Sequence, residues 1–328
     1  MEHFEGVLAD ARGFFKSRVI LTAADLDLFT ELGETPASAE KLADKMNFDE
    51  RATTRLLDCL VTFDLLEKHN GKYHVTERGS CLSSRHPKSV LPMVLHYDHL
   101  WHNWSRLTQK VQTGEISARK PVVEAGDERQ SAFIGAMHVI GREVSVEIAD
   151  DYDLSPYKKL LDVGGASGTY AITFLKKNPN MRAVIFDFGN VVEMAKDRIE
   201  SEGLKDRVEF VPGDFYEDEL PKGCDLALLS AIIHQNSPQE NLALFKKVFR
   251  ALEPNGKILI RDHIMDESRT KPPAGALFAL NMLVNTPGGD TYTFSEVEEN
   301  LKGAGFVDIK QVKSGPKMDC LVEGRKPV

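Results

Sequence analysis

The chain lacks most of the features that commit a protein to a special environment. Its 328 residues include only four cysteines, Cys59, Cys81, Cys224 and Cys320, and no CxxC pair. That spacing excludes a disulfide framework and a cysteine zinc site, and suits free thiols in a reducing compartment. No apolar run reaches the ~18 residues a membrane span needs. The opening MEHFEGVLADARGFFKSRVI has acids where a secretory signal needs bases, and no unbroken apolar core. A cytoplasmic protein without a membrane partner is expected. An excess of basic residues is missing too. The formal net charge is −9, the opposite of a nucleic-acid footprint, so no nucleic-acid partner is expected. Internal repeats and low-complexity segments are also absent.

What is present is ordinary globular material. A hydrophobic content of 42% supports a sizeable core, and the length suits two domains. Residues 1–150 read mostly as helix, with apolar residues at three-four spacing through HFEGVLADARGFFKSRVILTAADLDLFTEL. In SAEKLADKMNFDERATTRLLDCLVTFDLLEKHNGKYHVTERGS, Ser38 opens a short helix. Asn47 to Asp49 break it and cap a second one, which runs to about Leu66. Asn70-Gly71 then marks a hairpin turn. Helix, turn, helix and two-stranded wing describe a winged helix. Over 38–79 the module carries seven Lys/Arg against eight Asp/Glu. A DNA reader neutralises phosphates with bases, so a packing or dimerisation module is the favoured reading.

From residue 158 the grammar changes. KKLLDVG, RAVIFDF, RVEFVPGD, CDLALLSAII and GKILIRDHI are short apolar runs separated by helical stretches. Strands alternating with helices imply a doubly wound parallel sheet covered on both faces. A helix around 294–304 and a closing hairpin with an antiparallel strand complete it. The expected division is a helical, winged-helix domain over 1–110 and an α/β domain over 111–328.

In such a sheet, ligands bind at the carboxyl ends of the strands near the topological switch point. Four features fall there. LLDVGGASG places Gly164, Gly165 and Gly168 in a tight loop after Asp162. Gly165-x-x-Gly168 fits half of the dinucleotide fingerprint, but Val163 occupies the first glycine position. Asp162 ahead of the loop fits instead the D-x-G-x-x-x-G pattern of S-adenosylmethionine sites. Asp187, 25 positions on, can accept both ribose hydroxyls of either cofactor. Gly213-Asp214-Phe215 follows the third strand, where Asp214 suits an adenine amino group and Phe215 its ring. His234 follows the apolar run SAII, read as the end of the fourth strand. Ser237 then caps the next helix, with Pro238 in its first turn.

Together these pieces resemble the plant caffeic-acid-type and bacterial small-molecule O-methyltransferases that use S-adenosylmethionine. The matching segments are LLDVGGASG, FDFGNVVEMA, PGDFYED, IIHQNSPQENLALFKKVFRAL and GGDTYTFSEVEENLKGAGF, in order. The N-terminal half is similar to that family's dimerisation domain. The resemblance implies a Rossmann-like, seven-stranded methyltransferase sheet, S-adenosylmethionine as cofactor, a small-molecule acceptor and a homodimer formed through the N-terminal domain. It implies His234 as general base and Asp262, 28 positions on in LIRDH, as the carboxylate that orients it. It extends the cofactor set of Asp162, Gly164, Gly165, Gly168, Asp187, Gly213, Asp214 and Phe215 to Phe188 and Ser230. Two positions depart from the pattern. Thr291 stands where a second orienting carboxylate is usual, and Ala166 replaces a third glycine.

The resemblance places the acceptor against Phe133, Met137 and His138 in FIGAMH, and against Met282 in ALNMLV. LHYDHLWHNW adds His96 and Trp101. There His96, His99 and His102 form one helical stripe. Three side chains spread over two turns converge poorly on one ion, so a pocket wall or a solvated face is expected and no metal. Other readings stay open: methylation of nitrogen, sulfur or carbon, a relative of the same fold that hydroxylates or decarboxylates, a ligand-sensing regulator, and a nicotinamide oxidoreductase, disfavoured by Val163.

Overall fold

A computed structural model describes residues 2–115 and 127–328. The chain divides into two compact units. The first holds Met1–His102 and Ser131–Val139; the second holds the described residues of Asn103–Gln130 and Ile140–Val328.

In the first unit, α1 (Glu2–Asp25) and α2 (Leu28–Glu34) divide what reads as one helical stretch. Asp27 turns left-handed at φ 51° and breaks it. Helices α3 (Ala39–Met46) and α4 (Glu50–Thr62) follow, but α4 stops at Thr62 rather than at about Leu66, because Asp64 turns left-handed at φ 57° and Leu66 already belongs to a strand. Ser38 Oγ accepts the Lys41 N–H and an Asp49 carboxylate oxygen accepts the Ala52 N–H, while Asn47 ends α3 in the left-handed region. Strands β1 (Leu66–His69) and β2 (Lys72–Val75) pair antiparallel across Asn70-Gly71, whose positive φ values make the tight turn. Leu28, Phe29, Leu57, Leu60, Leu66 and Tyr73 are fully buried together and hold these elements as one body. After α5 (Glu77–Ser80) comes α6 (Leu91–Trp104).

The second unit continues through α7 (Leu107–Thr113) and from within α8 (Asp127–Asp151) into the sheet. Its strands are β3 (Lys159–Val163), β4 (Arg182–Asp187), β5 (Val208–Pro212), β6 (Cys224–Ser230), β7 (Leu252–Asp262) and, beyond two short strands, β10 (Val307–Lys313) and β11 (Cys320–Arg325). The order is β10-β11-β7-β6-β3-β4-β5. From β7 to β5 all neighbours are parallel, and β11 inserts antiparallel between β7 and β10. The chain reverses direction across the sheet between β3 and β6, so the switch point lies at their carboxyl ends. Helices α9 (Thr169–Lys177), α10 (Gly189–Ser201), α11 (Pro238–Ala251) and α13 (Phe294–Gly303) connect the strands. Two buried clusters, one on each sheet face, account for the apolar strand runs. A further helix, α12 (Pro273–Asn285), lies between the short strands β8 (Ile264–Met265) and β9 (Tyr292–Thr293), which pair parallel.

One element ends earlier than the sequence implies. Strand β6 stops at Ser230, and Ala231 turns left-handed at φ 59°. Ile233–Gln235 then form a 3-10 turn. Ile232 and Ile233 are apolar because they pack into the core, not because the strand continues. His234 therefore sits in a turn past the strand rather than directly after its last residue.

Candidate active site

Two loops at the switch point hold most of the candidate residues. The first follows β3. Gly164 and Gly168 take left-handed backbone, and the Gly164 N–H donates to the Phe186 carbonyl. Ala166 also turns left-handed, at φ 46°, so the loop survives without its third glycine. The Ala166 N–H donates to one Asp187 oxygen (2.9 Å), and the Phe188 N–H to the other (2.7 Å). Burial, with the Asp187 charge adding, pushes the Asp162 carboxyl up to about 7. Burial likewise pushes Asp187 up to about 6, against the pull of the two N–H groups. Asp162 Oδ2 and Ser230 Oγ are buried without a hydrogen-bond partner among the described residues. Gly213 packs on Phe186 and donates its N–H to the Asp187 carbonyl. Asp214 accepts the Tyr216 N–H (2.8 Å), and Phe215 is buried beside Gly164. Phe188 caps α10. The sequence-predicted cofactor residues thus gather along one edge of β3, β4, β5 and β6.

The second loop is the His234 turn. His234 Nδ1 lies 2.9 Å from both Asp262 oxygens, and the imidazole side chain is 12% exposed. Asp262 is buried at the end of β7. Burial alone raises its carboxyl, but the His234 charge and hydrogen bond, the His263 N–H and Arg261 outweigh it, so Asp262 is held below the usual carboxylate range. An ionised Asp262 accepts the Nδ1 proton and leaves the Nε2 lone pair as the proton acceptor. The Phe278 ring stands edge-on to the imidazole at 4.9 Å.

The turn is fixed by partners from distant parts of the chain. The His234 carbonyl accepts the Asp290 N–H (2.9 Å), and Asn241 Nδ2 donates to the Ile233 carbonyl (2.9 Å). The Tyr216 and Tyr292 hydroxyls both donate to Asn236. A Cβ on Gly289 would lie 2.4 Å from the His234 carbonyl oxygen, so only glycine allows this approach. Thr291 does not replace the missing carboxylate. Its hydroxyl donates to the Gly275 carbonyl (3.3 Å), tying α12 to the loop, while Asp290 pairs with Arg269 (3.1 Å). Asp262 is the acidic partner that His234 has among the described residues.

Known proteins match the chain over nearly its whole length. The O-methyltransferase domain family matches residues 122–307, and the O-methyltransferase dimerisation domain matches residues 9–85. The chain belongs to the O-methyltransferase family. It is 31% identical to the tetracenomycin polyketide synthesis 8-O-methyltransferase TcmO of Streptomyces glaucescens, over 98% of this chain and 96% of that one. It is 29% identical to the acetylserotonin O-methyltransferase of Gallus gallus, over 96% and 95%. Among solved structures, human N-acetylserotonin methyltransferase in complex with SAM superposes with a TM-score of 0.88 at 25% identity, covering 100% of this chain and 99% of that one. The mitomycin 7-O-methyltransferase MmcR superposes at 0.85 and 26% identity, over 99% and 98%.

The remaining expected residues of this O-methyltransferase are placed separately. Met282 is buried on α12. In the first unit the His96 and Phe133 rings meet edge to face at 5.4 Å. Burial, with the His99 charge adding, pushes the His96 imidazole down to about 4, so it is neutral at pH 7. Trp101 lies under the Arg18 guanidinium (5.5 Å), and Met137 and His138 are half-buried on α8. Among the described residues no cluster of three His, Cys, Asp or Glu is placed to hold a metal. No described helix is long and apolar enough to cross a membrane. Sequence reasoning missed Phe278, Gly289 and Tyr216, whose contacts with the His234 turn span up to 55 positions. Only the Gly-Gly pair ahead of Asp290 carried a signal.

Proposed function

We propose that this enzyme transfers the methyl group of S-adenosylmethionine to the hydroxyl oxygen of a small phenolic acceptor, with His234 as general base. The observation that carries the reading is the His234–Asp262 pair: a nearly buried imidazole held through Nδ1 at the switch point, with Nε2 left to take a proton. A phenol has a pKa of about 10 and is scarcely ionised at neutral pH. A base within hydrogen-bond reach contributes roughly 10²–10⁴-fold. Asp262 fixes the tautomer and stabilises the imidazolium that forms. Holding the acceptor oxygen in line with the transferred carbon supplies up to roughly 7–11 kcal/mol of the barrier.

The residues present fit the cofactor. Asp162 and Asp187 are buried carboxyls with raised pKa, a setting that a cationic, hydroxyl-bearing ligand relieves. Asp162 Oδ2 and Ser230 Oγ offer unmet hydrogen-bonding capacity. Asp162, Gly164, Gly165, Gly168, Asp187, Phe188, Gly213, Asp214, Phe215 and Ser230 are the residues assigned to hold it. When bound it supplies the electrophilic sulfonium methyl group. The acceptor roles of Met282 and, in the first unit, of His96, Trp101, Phe133, Met137 and His138 belong to the same proposal. So does the division into a dimerisation domain over 1–110 and a catalytic domain over 111–328.

A homodimer is supported by the matched dimerisation domain and by α1, which exposes Phe4, Val7, Leu8, Phe14 and Phe15. Incubation with labelled S-adenosylmethionine and a panel of phenols, catechols, amines and thiols tests the activity. Label is expected on a phenolic oxygen. Tight cofactor binding with no label on any acceptor would overturn the reading.

A further inference from the structure

Arg261 is a buried charge whose part in the site described so far is the last-named pull on the Asp262 carboxyl. It precedes Asp262 at the end of β7 and is 3% exposed. Its guanidinium makes no ion pair or hydrogen bond among the described residues, and its Nε is buried without a partner. Its centre lies 6.0 Å from the Tyr170 ring on α9. Burying an unpaired charge is strongly unfavourable, and chains keep one where an opposite charge meets it.

The register says which groups share its side of the sheet. Ser230 lies opposite Arg261, and Leu228 opposite Asp162. Side chains alternate along a strand, so Asp162, Leu228, Ser230 and Arg261 stand on one face. Asp162 lies opposite Ile185, which puts Asp187 on that face too. The Tyr170 hydroxyl, Ser230 Oγ and Asp162 Oδ2 are, like Arg261 Nε, buried without partners. The row therefore runs from acid on β4 and β3, through a hydroxyl on β6, to a cation on β7. Two strand spacings separate β3 from β7, roughly 10 Å. That polarity fits a ligand whose hydroxyl and cationic groups meet the acids and whose terminal carboxylate meets the guanidinium.

We propose that Arg261, with the Ser230 and Tyr170 hydroxyls, binds the carboxylate of the cofactor's amino-acid portion. The assignment rests on the cofactor reading above. It differs from a role in which Arg261 only tunes its neighbour Asp262, because it places the effect in binding rather than in the base.

Calorimetric titration with S-adenosylhomocysteine and with its decarboxylated analogue, which keeps the amine, tests it. Wild-type protein is expected to prefer the intact ligand by about tenfold or more, the scale of a charge-assisted hydrogen bond. Arg261→Met is expected to lose about that factor for the intact ligand and to bind the analogue within about twofold of wild type. Equal weakening for both ligands, or none for either, overturns the proposal. Should Arg261→Met fail to fold, Ser230→Ala and Tyr170→Phe decide it: each is expected to lose affinity for the intact ligand alone, and an unchanged preference in both overturns it. Wild-type protein that binds neither ligand overturns the cofactor reading itself. Wild-type protein that binds S-adenosylhomocysteine no better than Arg261→Met does overturns the Arg261 assignment alone.

Discussion

The loop after β3 and the turn after β6 stand side by side at the switch point and are built on opposite plans. The glycine loop is held mostly by its own backbone and by Asp187, and it leaves Asp162 Oδ2 unsatisfied. The His234 turn leaves almost nothing unsatisfied. Its carbonyls, its asparagine side chain and the imidazole Nδ1 are taken by Asp262, Asp290, Asn241, Tyr216 and Tyr292. Spare hydrogen-bonding capacity suits a surface that receives a ligand. Exhausted capacity suits a group whose one remaining nitrogen must stay where it is.

Removing the fixed nitrogen is expected to have the largest effect. His234→Ala is expected to lower turnover roughly 10²–10⁴-fold at saturating cofactor. Asp262→Asn is expected to cost less, about 10–100-fold, because the imidazole remains but its tautomer is no longer fixed. In both variants S-adenosylhomocysteine affinity, read by titration, is expected to stay within about twofold of wild type. Unchanged turnover in His234→Ala would leave alignment as the main source of rate. A large loss of cofactor affinity would show that the two loops are not separable.

The same contrast explains what was legible in the sequence. The glycine loop, Asp187 and the Gly213-Asp214-Phe215 segment were readable because their geometry is local: glycines where the backbone turns, acids where strands end. The Ser38, Asp49 and Ser237 caps and the Asn70-Gly71 turn were readable for the same reason. His234 and Asp262 were readable by resemblance, and their contact is long-range. The end of β6 was misplaced because Ile232 and Ile233 are equally apolar in a strand or in a buried turn. Thr291 was legible only as a departure from the usual carboxylate, and nothing in the sequence told that its hydroxyl serves the Gly275 carbonyl on α12. Arg261 and Phe278 gave no signal, since nothing in LIRDH or ALFALN states which face a side chain will share.

Acid acts on the carboxyls of the glycine-loop side. Without ligand, Asp162 and Asp187 sit at about 7 and about 6, above the ordinary carboxyl value of about 4. A raised folded-state pKa means the folded chain binds protons more tightly than the unfolded one. The cost of ionising these groups is therefore present in full above pH 7 and is relieved as pH falls through 7 and 6. The ligand's ammonium group and ribose hydroxyls favour the ionised forms, so its affinity should move the opposite way. S-adenosylhomocysteine binding is expected to weaken between pH 8 and pH 5, approaching about tenfold per pH unit for each proton displaced. Asp162→Asn should flatten the upper part of that profile. A flat wild-type profile would remove both carboxyls from the cofactor site.

The smallest effect comes from placing one backbone change in both loops. Ala166 and Ala231 each hold a left-handed φ, 46° and 59°. An L-residue pays about 1 kcal/mol there, and glycine does not. Glycine also loosens the unfolded chain, at about 0.4–1 kcal/mol, so either substitution should change stability by no more than about 0.5 kcal/mol. Function should separate the two. Ala166→Gly acts in the loop proposed to receive the cofactor, and its turnover should stay within about twofold of wild type. Ala231→Gly loosens the turn that aims His234, where small misplacements cost rate, and turnover should fall a few-fold with cofactor affinity unchanged. Equal behaviour of the two variants, in melting temperature and in turnover, would mean that the His234 turn owes its rigidity to its side-chain partners alone and nothing to the conformation at Ala231.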